Sequence, residues 1–382
     1  MPMALYRECR PARFKEIVAQ GHVTRTLQNA IAQNRVAHAY LFCGPRGTGK
    51  TSTARVLAKA LNCPNVADDE PCGVCEVCVG IAGGEGIDVV EMDAASNRGI
   101  DEIRTLRERV RLAPVGGRFK VYVIDEVHML TTEAFNALLK TIEEPPANVV
   151  FVLCTTEAYR VPATIVSRCQ RFDFHPISTR DIAGHLSDLI QKHNFNVEPA
   201  AARFIARVST GSLRDALSIL DQCLAYASGL VTLEAARNVV GALDGRTLVD
   251  MAGALIRGEA GEAFGGLERL MAEGRDPREV ARGLAAHMRD LVLYRLSGQG
   301  PELIGPGADD PQALKAQAAA VSDAFLFEAV DVLSTAENEM RYAPQPRLAL
   351  EARLLRLCSL TGGGVAGQGR AVLPAETTAD RP

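Results

Sequence analysis

The sequence predicts an α/β fold built on a parallel five-stranded sheet, followed by two wholly helical parts. Three observations predict it. Within residues 1–175, five short apolar runs alternate with helical stretches. Those runs are near-continuously apolar rather than strictly alternating, which is what strands covered by helices on both faces require. After His175-Pro176 only helical signals remain. Strand–helix alternation in the first part implies parallel pairing through crossover connections.

The strands are expected at Ala39–Cys43, Asp88–Met92, Lys120–Ile124, Val149–Leu153 and Arg171–Phe174. Residues 176–241 read as a small three-helix unit. Ser178-Thr179-Arg180-Asp181 resembles a capping box and precedes Ile182, Leu186, Leu189 and Ile190 on one helical face. Pro199 opens a second helix carrying Phe204, Ile205 and Val208. Gly211-Ser212-Leu213-Arg214-Asp215 starts a third, with Ala216, Leu217, Leu220 and Leu224 at helical spacing. Residues 242–361 continue as helices at roughly 246–257, 260–273, 277–297, 311–320, 323–340 and 346–360, divided by a Gly/Pro-rich break at Gly298–Pro311. Residues 362–382 hold five glycines, two prolines and no apolar period, and read as a solvated tail.

At ~150 residues per domain, 382 residues make two to three domains. Forty-two Lys+Arg against 46 Asp+Glu leave a net charge of -4. That excludes a protein that coats nucleic acid by bulk charge, though not a local basic groove. No apolar run approaches the ~20 residues that span a bilayer, so no membrane role is expected. The start, Met1 to Pro11, has no apolar core of a signal peptide, so a cytoplasmic location follows. Ten cysteines are then expected to be reduced, and a cluster of them reads as a metal site.

The strongest chemical signal is Gly44-Pro45-Arg46-Gly47-Thr48-Gly49-Lys50-Thr51, the phosphate-loop pattern G-x-x-x-x-G-K-[ST], between an apolar strand and a helix. Its glycines let backbone N–H groups converge on phosphates at a helix N-terminus. Lys50 reaches the β/γ-phosphates and the Thr51 hydroxyl joins a Mg²⁺ shell in that reading. Downstream, Val121-Tyr122-Val123-Ile124-Asp125-Glu126 is an apolar strand ending in two carboxylates, Asp125 for Mg²⁺ and Glu126 to polarise the attacking water. Alone, such a pair is commonplace; its meaning comes from sharing a sheet with the phosphate loop. Thr155 follows the fourth strand, where a hydroxyl reaches the attacking water or the γ-phosphate, though a lone Thr there is more often a turn residue. Two arginines complete the set. Arg168, in Ser167-Arg168-Cys169, is otherwise a plain surface charge. Arg214 sits in the first turn of a helix, unfavourable against the dipole unless an anion lies close by.

Cys72, Cys75 and Cys78 form C-x₂-C-x₂-C, with Cys63 nine positions upstream. Four thiolates suit tetrahedral Zn²⁺, and with no nearby open ligand such as His the site reads as closed and structural, stapling an insert at about 62–80. The run lacks the further Cys-Pro of a ferredoxin-type cluster, having Ala82-Gly83 instead. Cys9, Cys43, Cys154, Cys169, Cys223 and Cys358 read as small core residues. Asn97-Arg98-Gly99, Arg104, Arg107, Arg109, Arg111 and Lys140 are candidates for phosphate contacts of DNA, or equally a solvated basic face.

The combination resembles the gamma/tau subunit family of bacterial DNA polymerase III, AAA+ ATPases of the clamp loader. The resemblance is carried by Tyr6-Arg7-Glu8-Cys9-Arg10-Pro11, Gly44–Thr51, the zinc cysteines and Glu91-Met92-Asp93-Ala94-Ala95-Ser96. Further matching stretches are Gly117 to Leu130, Phe135 to Thr141, Glu143-Glu144-Pro145-Pro146, Ser167-Arg168-Cys169 and Gly211 to Leu217. It implies an AAA+ P-loop module with a zinc-binding insert (residues 1–175), a helical lid (176–241) and an all-α collar (242–361) that holds a hetero-oligomeric ring of clamp-loader subunits. The ring binds ATP, opens the sliding clamp, places it on primer-template DNA and hydrolyses ATP to let go. By the same resemblance Arg168 is the arginine finger acting in trans, Arg214 the lid sensor and Thr155 the sheet sensor. Tyr6, Arg7, Arg10 and Pro11 belong to the nucleotide pocket. Two departures stand out: Cys9 where the family usually has an aromatic residue, and Ala19 where it usually has Gly. No polymerase site is visible, so DNA-directed polymerase (nucleotidyltransferase) activity belongs to the holoenzyme. Family members of longer form add domains that bind polymerase and helicase, and those contacts are expected to be absent here.

Three rivals are weaker. A structural ring subunit would lack a working phosphate loop, which is intact here. A branch-migration helicase would end in a winged-helix domain, for which 242–361 has no β-hairpin signals. A nucleotide-gated adaptor has no use for Glu126.

Overall fold

The computed structural model describes residues 4–361, apart from Glu85, Arg111, 242–244 and 298–310. The chain divides into two compact units, Met1–Val239 and Val240–Pro382.

The first unit is organised by five parallel strands, β1 (Ala39–Cys43), β2 (Val89–Asp93), β3 (Lys120–Asp125), β4 (Val149–Thr155) and β5 (Gln170–Asp173), in the order β2-β3-β4-β1-β5. Successive strand residues serve opposite faces, as a pleated strand demands. Ala39, Leu41 and Cys43 of β1 join a core with Ile103, Leu106, Phe135 and Leu138. Tyr40 and Phe42 join another with Phe14, Leu27, Leu57 and Phe172. Helices therefore cover both faces: Ile100–Val110 and Thr132–Glu143 on the first, Gly21–Ala32 and Lys50–Asn62 on the second. The register brings Cys43 level with Thr155, and Asp93 level with Asp125. The carboxyl ends of the three central strands thus lie side by side, where open α/β sheets place their ligands.

Strand ends differ from the sequence expectation by one or two residues, for identifiable reasons. Asp88 is outside β2 because its carboxylate accepts the N–H groups of Val115 (2.9 Å), Gly116 (2.8 Å) and Gly117 (2.6 Å), tying down the turn before β3. β4 runs on to Thr155, and β5 ends at Asp173, although Phe174 N–H still donates to the Cys43 carbonyl at 2.7 Å.

Residues 176–241 contain four helices rather than three: Thr179–Lys192, Pro199–Val208, Leu213–Tyr226 and Leu233–Val240. The first and third are capped as their sequences promise, Ser178 Oγ accepting Asp181 N–H at 3.1 Å and Ser212 Oγ accepting Asp215 N–H at 3.3 Å. The second unit carries the helices Gly245–Arg257, Ala260–Ala272, Pro277–Ser297, Pro311–Ala320, Asp323–Met340 and Pro346–Thr361 around a core that includes Leu255, Leu284, Met288, Leu333 and Leu354. The tail at 362–382 and the break at 298–310 lie outside the described residues. Among the described residues, no helix is long and apolar enough to cross a membrane. Ala19 takes the left-handed conformation (φ 60°), which glycine adopts at less cost than alanine.

Candidate nucleotide site and metal centre

β1 ends at Cys43, and the chain turns through Gly44–Gly49 before the helix Lys50–Asn62. Gly44, Gly47 and Gly49 all have positive φ (145°, 75° and 101°), and a Cβ at Gly44 would meet the Phe174 carbonyl oxygen at 2.4 Å. The loop is therefore a glycine structure by necessity, with its N–H groups gathered at a helix N-terminus. The Lys50 ammonium is folded onto the loop, donating to the carbonyls of Gly44 and Pro45 at 2.8 Å each. Burial pulls its pKa below the ordinary lysine value despite the nearby Asp125 and Glu126.

The Thr51 hydroxyl donates to Asp125 Oδ2 at 2.8 Å across the gap between β1 and β3. Burial raises the Asp125 pKa, against the opposing pull of the Thr51 hydrogen bond. Glu126 follows in the left-handed conformation (φ 47°, ψ 45°), a strained position for a non-glycine residue at a strand end. Its Oε2 accepts the Thr156 hydroxyl at 2.9 Å and the Thr156 N–H at 3.3 Å, and lies 3.4 Å from His128 Nδ1.

These groups share one cleft in the first unit. Its wall includes Arg46, Gly47, Thr48, Gly49, Lys50 and Thr51 of the loop, both carboxylates Asp125 and Glu126, and Tyr6, Arg10, Pro11 and Arg214. The Arg214 guanidinium stands over the Tyr6 ring at 5.0 Å. Several predicted residues are elsewhere. Arg7 is exposed, with its guanidinium 5.8 Å from the Tyr6 ring centroid and outside the cleft wall. Gly44 and Pro45 serve through their carbonyls, behind the wall. Arg168 is on the outer surface, bonded to Glu143 Oε1 at 2.8 Å and to the Thr164 carbonyl at 2.8 Å, so it cannot reach its own chain's cleft without leaving both.

The Thr155 side chain is fully buried and does not line the cleft. Its hydroxyl accepts the Glu157 N–H at 3.0 Å and lies 2.9 Å from His128 Nδ1. Its place at the tip of β4 is as expected, but it faces His128, and the neighbouring Thr156 is the hydroxyl that meets Glu126. His128 and Thr156 escaped the sequence reading because the contacts of His128 with Thr155 and of Thr156 with Glu126 depend on the chain after β3 meeting the tip of β4, which no local spacing encodes. Glu91, on β2, lines the cleft and pairs with Arg55 of the helix Lys50–Asn62 at 2.6 Å, another contact that only the folded sheet brings about.

The four Sγ atoms of Cys63, Cys72, Cys75 and Cys78 lie within 4.8 Å of one another. Cys63 and Cys75 are 3.9 Å apart, Cys72 and Cys78 4.0 Å. A tetrahedral zinc with ~2.3 Å bonds needs sulfur edges of about 3.8 Å, so the cluster fits the ion. Sulfurs also accept backbone N–H groups: Cys72 N–H on Cys63 (3.4 Å), Cys75 on Cys72 (3.3 Å) and Cys78 on Cys75 (3.5 Å). Bonds from the N–H groups of Val74 and Cys75 bring the Cys72 thiol down to about 6, favouring the thiolate a metal takes, while burial pushes Cys78 up. Cys43, Cys154, Cys223 and Cys358 are buried core residues, whereas Cys9 and Cys169 are only half-buried.

Two of the basic residues proposed for DNA are bonded locally. Arg98 Nε donates to the Ala95 carbonyl at 2.9 Å, and Arg104 pairs with Asp101 at 3.1 Å. Arg109 and Lys140 are exposed, Arg107 is half-buried, and Arg111 lies outside the described residues.

Comparison with known proteins covers most of the chain. Residues 19–178 match the family described as DNA polymerase III, delta subunit, residues 181–229 the DNA polymerase III clamp loader subunit ATPase lid domain, and residues 231–364 the DNA polymerase III subunits gamma and tau domain III. The chain is 41% identical over 355 residues to the DNA polymerase III subunit tau of Bacillus subtilis, spanning 93% of this chain and 63% of that one. To the gamma/tau subunit of Mycobacterium tuberculosis it is 42% identical over 363 residues, spanning 93% of this chain and 62% of the relative. The chain thus spans less than two thirds of the length of these relatives. Among solved structures, a Thermotoga maritima RuvB Holliday junction branch migration motor aligns with a TM-score of 0.47 and 17% identity, over 65% of this chain and 79% of that one.

Proposed function

The chain belongs to the gamma/tau family of DNA polymerase III clamp-loader subunits, and on that premise we propose that it is an ATP-hydrolysing subunit that helps load a sliding clamp onto primer-template DNA. The observation that carries the reading is the 2.8 Å bond from Thr51 to Asp125 inside a cleft that also holds Lys50 and Glu126. Each group has a task suited to its place. The loop N–H groups bind the phosphates, and Lys50 exchanges the carbonyls of Gly44 and Pro45 for β/γ-phosphate oxygens. Thr51 and Asp125 would hold a Mg²⁺ ion, which would supply positive charge to offset that of the phosphates. Glu126 accepts a proton from the attacking water as the γ-phosphoryl leaves ADP, with Thr156 and His128 fixing its carboxylate. Thr155 acts one step further back, by holding His128.

Arg214, stacked on Tyr6, offsets phosphate charge from the lid, with Arg10 and Pro11 in the same cleft wall. The exposed position of Arg168 supports a role on a neighbouring subunit's nucleotide. In this reading hydrolysis occurs at subunit junctions of a hetero-oligomeric ring, with residues 242–361 as its collar. The four cysteines would hold zinc as a structural ion, since they would supply all four ligands of a tetrahedral site. Polymerase chemistry belongs to other subunits, and a cytoplasmic location suits the task. The test is ATP turnover by the reconstituted ring with and without sliding clamp and primed DNA. Turnover should rise when both are added; a rate indifferent to both refutes the proposal.

A further inference from the structure

The four-cysteine insert and the cleft are joined by one carboxylate. Between them runs the segment 10–18, whose residues Arg10, Pro11, Glu16, Ile17 and Val18 form one wall of the cleft. Its only regular structure is the single 3-10 turn Phe14–Glu16. Such a segment holds its place only through what grips its backbone.

On the inner side, Phe14 is sunk into the core beneath the sheet. On the outer side the grip is Glu70. Its Oε2 accepts the N–H of Phe14 at 2.7 Å, and its Oε1 accepts the N–H of Lys15 at 2.9 Å. Gln28 Nε2, from the helix Gly21–Ala32, adds a third bond at 3.2 Å. All three donors are neutral, so the half-buried carboxylate is committed to backbone and amide. Hydrogen bonds to a charged acceptor are about twice as strong as neutral ones.

Glu70 is itself part of the insert. Its backbone closes a tight turn with Ala67, Glu70 N–H to the Ala67 carbonyl at 2.9 Å and Ala67 N–H to the Glu70 carbonyl at 3.2 Å. Cys72 follows two positions later, and its carbonyl accepts Arg13 Nη2 at 2.9 Å, a second strap onto the same segment. The ligand loop of the metal centre thus grips the back of the cleft wall at three consecutive residues, Arg13, Phe14 and Lys15.

We propose that Glu70 is a positioning residue for nucleotide binding: it carries the fixed geometry of the metal insert to the wall 10–18, against which the base and ribose rest while the loop 44–51 takes the phosphates. This inference rests on the reading of the cleft as an ATP site. It gives the zinc insert a task beyond holding itself together, although none of its cysteines lines the cleft except through this relay.

The test uses the full chain and measures the Kd of Mg-ATP and of inorganic tripolyphosphate, together with zinc content and thermal unfolding, in wild type, Glu70→Ala and Glu70→Gln. Glu70→Ala should weaken ATP binding about tenfold while leaving tripolyphosphate, which touches only the loop, unchanged. Glu70→Gln keeps one acceptor oxygen and should recover part of the loss. Zinc content should equal that of wild type, and if Glu70→Ala sheds its metal, Glu70→Gln is judged by the same two ligands. Unaltered ATP affinity, or a loss shared equally by ATP and tripolyphosphate, overturns the inference. Wild-type chain that binds no ATP instead refutes the nucleotide reading itself.

Discussion

The backbone N–H of Leu213 donates to the carbonyl of Gly47 at 3.2 Å, so the third lid helix begins on the phosphate loop itself. The contact is close enough that a Cβ at Gly47 would lie 1.9 Å from Ser212 Oγ, the cap of that helix. Lid and loop are therefore joined by main chain, and Arg214 reaches the cleft because the helix start is pinned there.

Gly47→Ala meets two obstacles, the Ser212 clash and a φ of 75°. The variant should lose roughly 2 kcal/mol of stability. It should also bind ATP more weakly, because relieving the clash moves the lid off the loop. Thermal unfolding and ATP titration of the variant check both; unchanged values would mean the bond is dispensable.

Asp88 lies outside its expected strand and holds three consecutive N–H groups. Burial pushes its pKa up, but those bonds outweigh it and leave the carboxyl below the ordinary aspartate value. The stabilisation is complete above the unfolded value of about 3.9 and fades as pH falls through the lower folded value. Asp88→Asn should cost roughly 1–3 kcal/mol at neutral pH and lack this part of the acid-induced loss. Unfolding curves between neutral pH and pH 3 measure it.

Much of this was legible in the sequence, and what was not has common causes. All five strands and the six helices of 242–361 follow from local periodicity, because buried strands and amphipathic helices write their environment into neighbouring residues. The helix Leu233–Val240 was missed: only eight residues long, with Ala236 its one buried residue, it carries little periodic signal. The phosphate loop and its carboxylates were visible as motifs. Thr156, His128 and Glu70 were not, since each acts on a residue tens of positions away and is a common residue type in an ordinary place. Thr155 shows the limit most clearly: the position is readable, the direction of its hydroxyl is not.

Cys75→Ser removes one of four thiolates from a cluster sized for zinc. The variant should release its metal on purification and unfold at a lower temperature, as expected when metal binding is part of folding. Atomic absorption on the wild type gives the sharper check, since a chain without zinc would refute the assignment.

Arg168→Ala loses exposed bonds to Glu143, Ser167 and the Thr164 carbonyl, which contribute little to stability. ATP binding should stay within about twofold of wild type, while turnover in the assembled ring falls by roughly 10³, the scale of an arginine finger. An unchanged rate would show that Arg168 does not act on the neighbouring subunit.

The central claim is that the cleft beside Lys50 holds ATP through the groups that now satisfy one another. Equilibrium titration of Mg-ATP into wild-type chain and Lys50→Ala tests it most directly. The account predicts saturable binding to the wild type and a loss of at least about a hundredfold in the variant, since a charge-assisted contact to phosphate is gone. Equal affinity in both chains, or binding to neither, would contradict it.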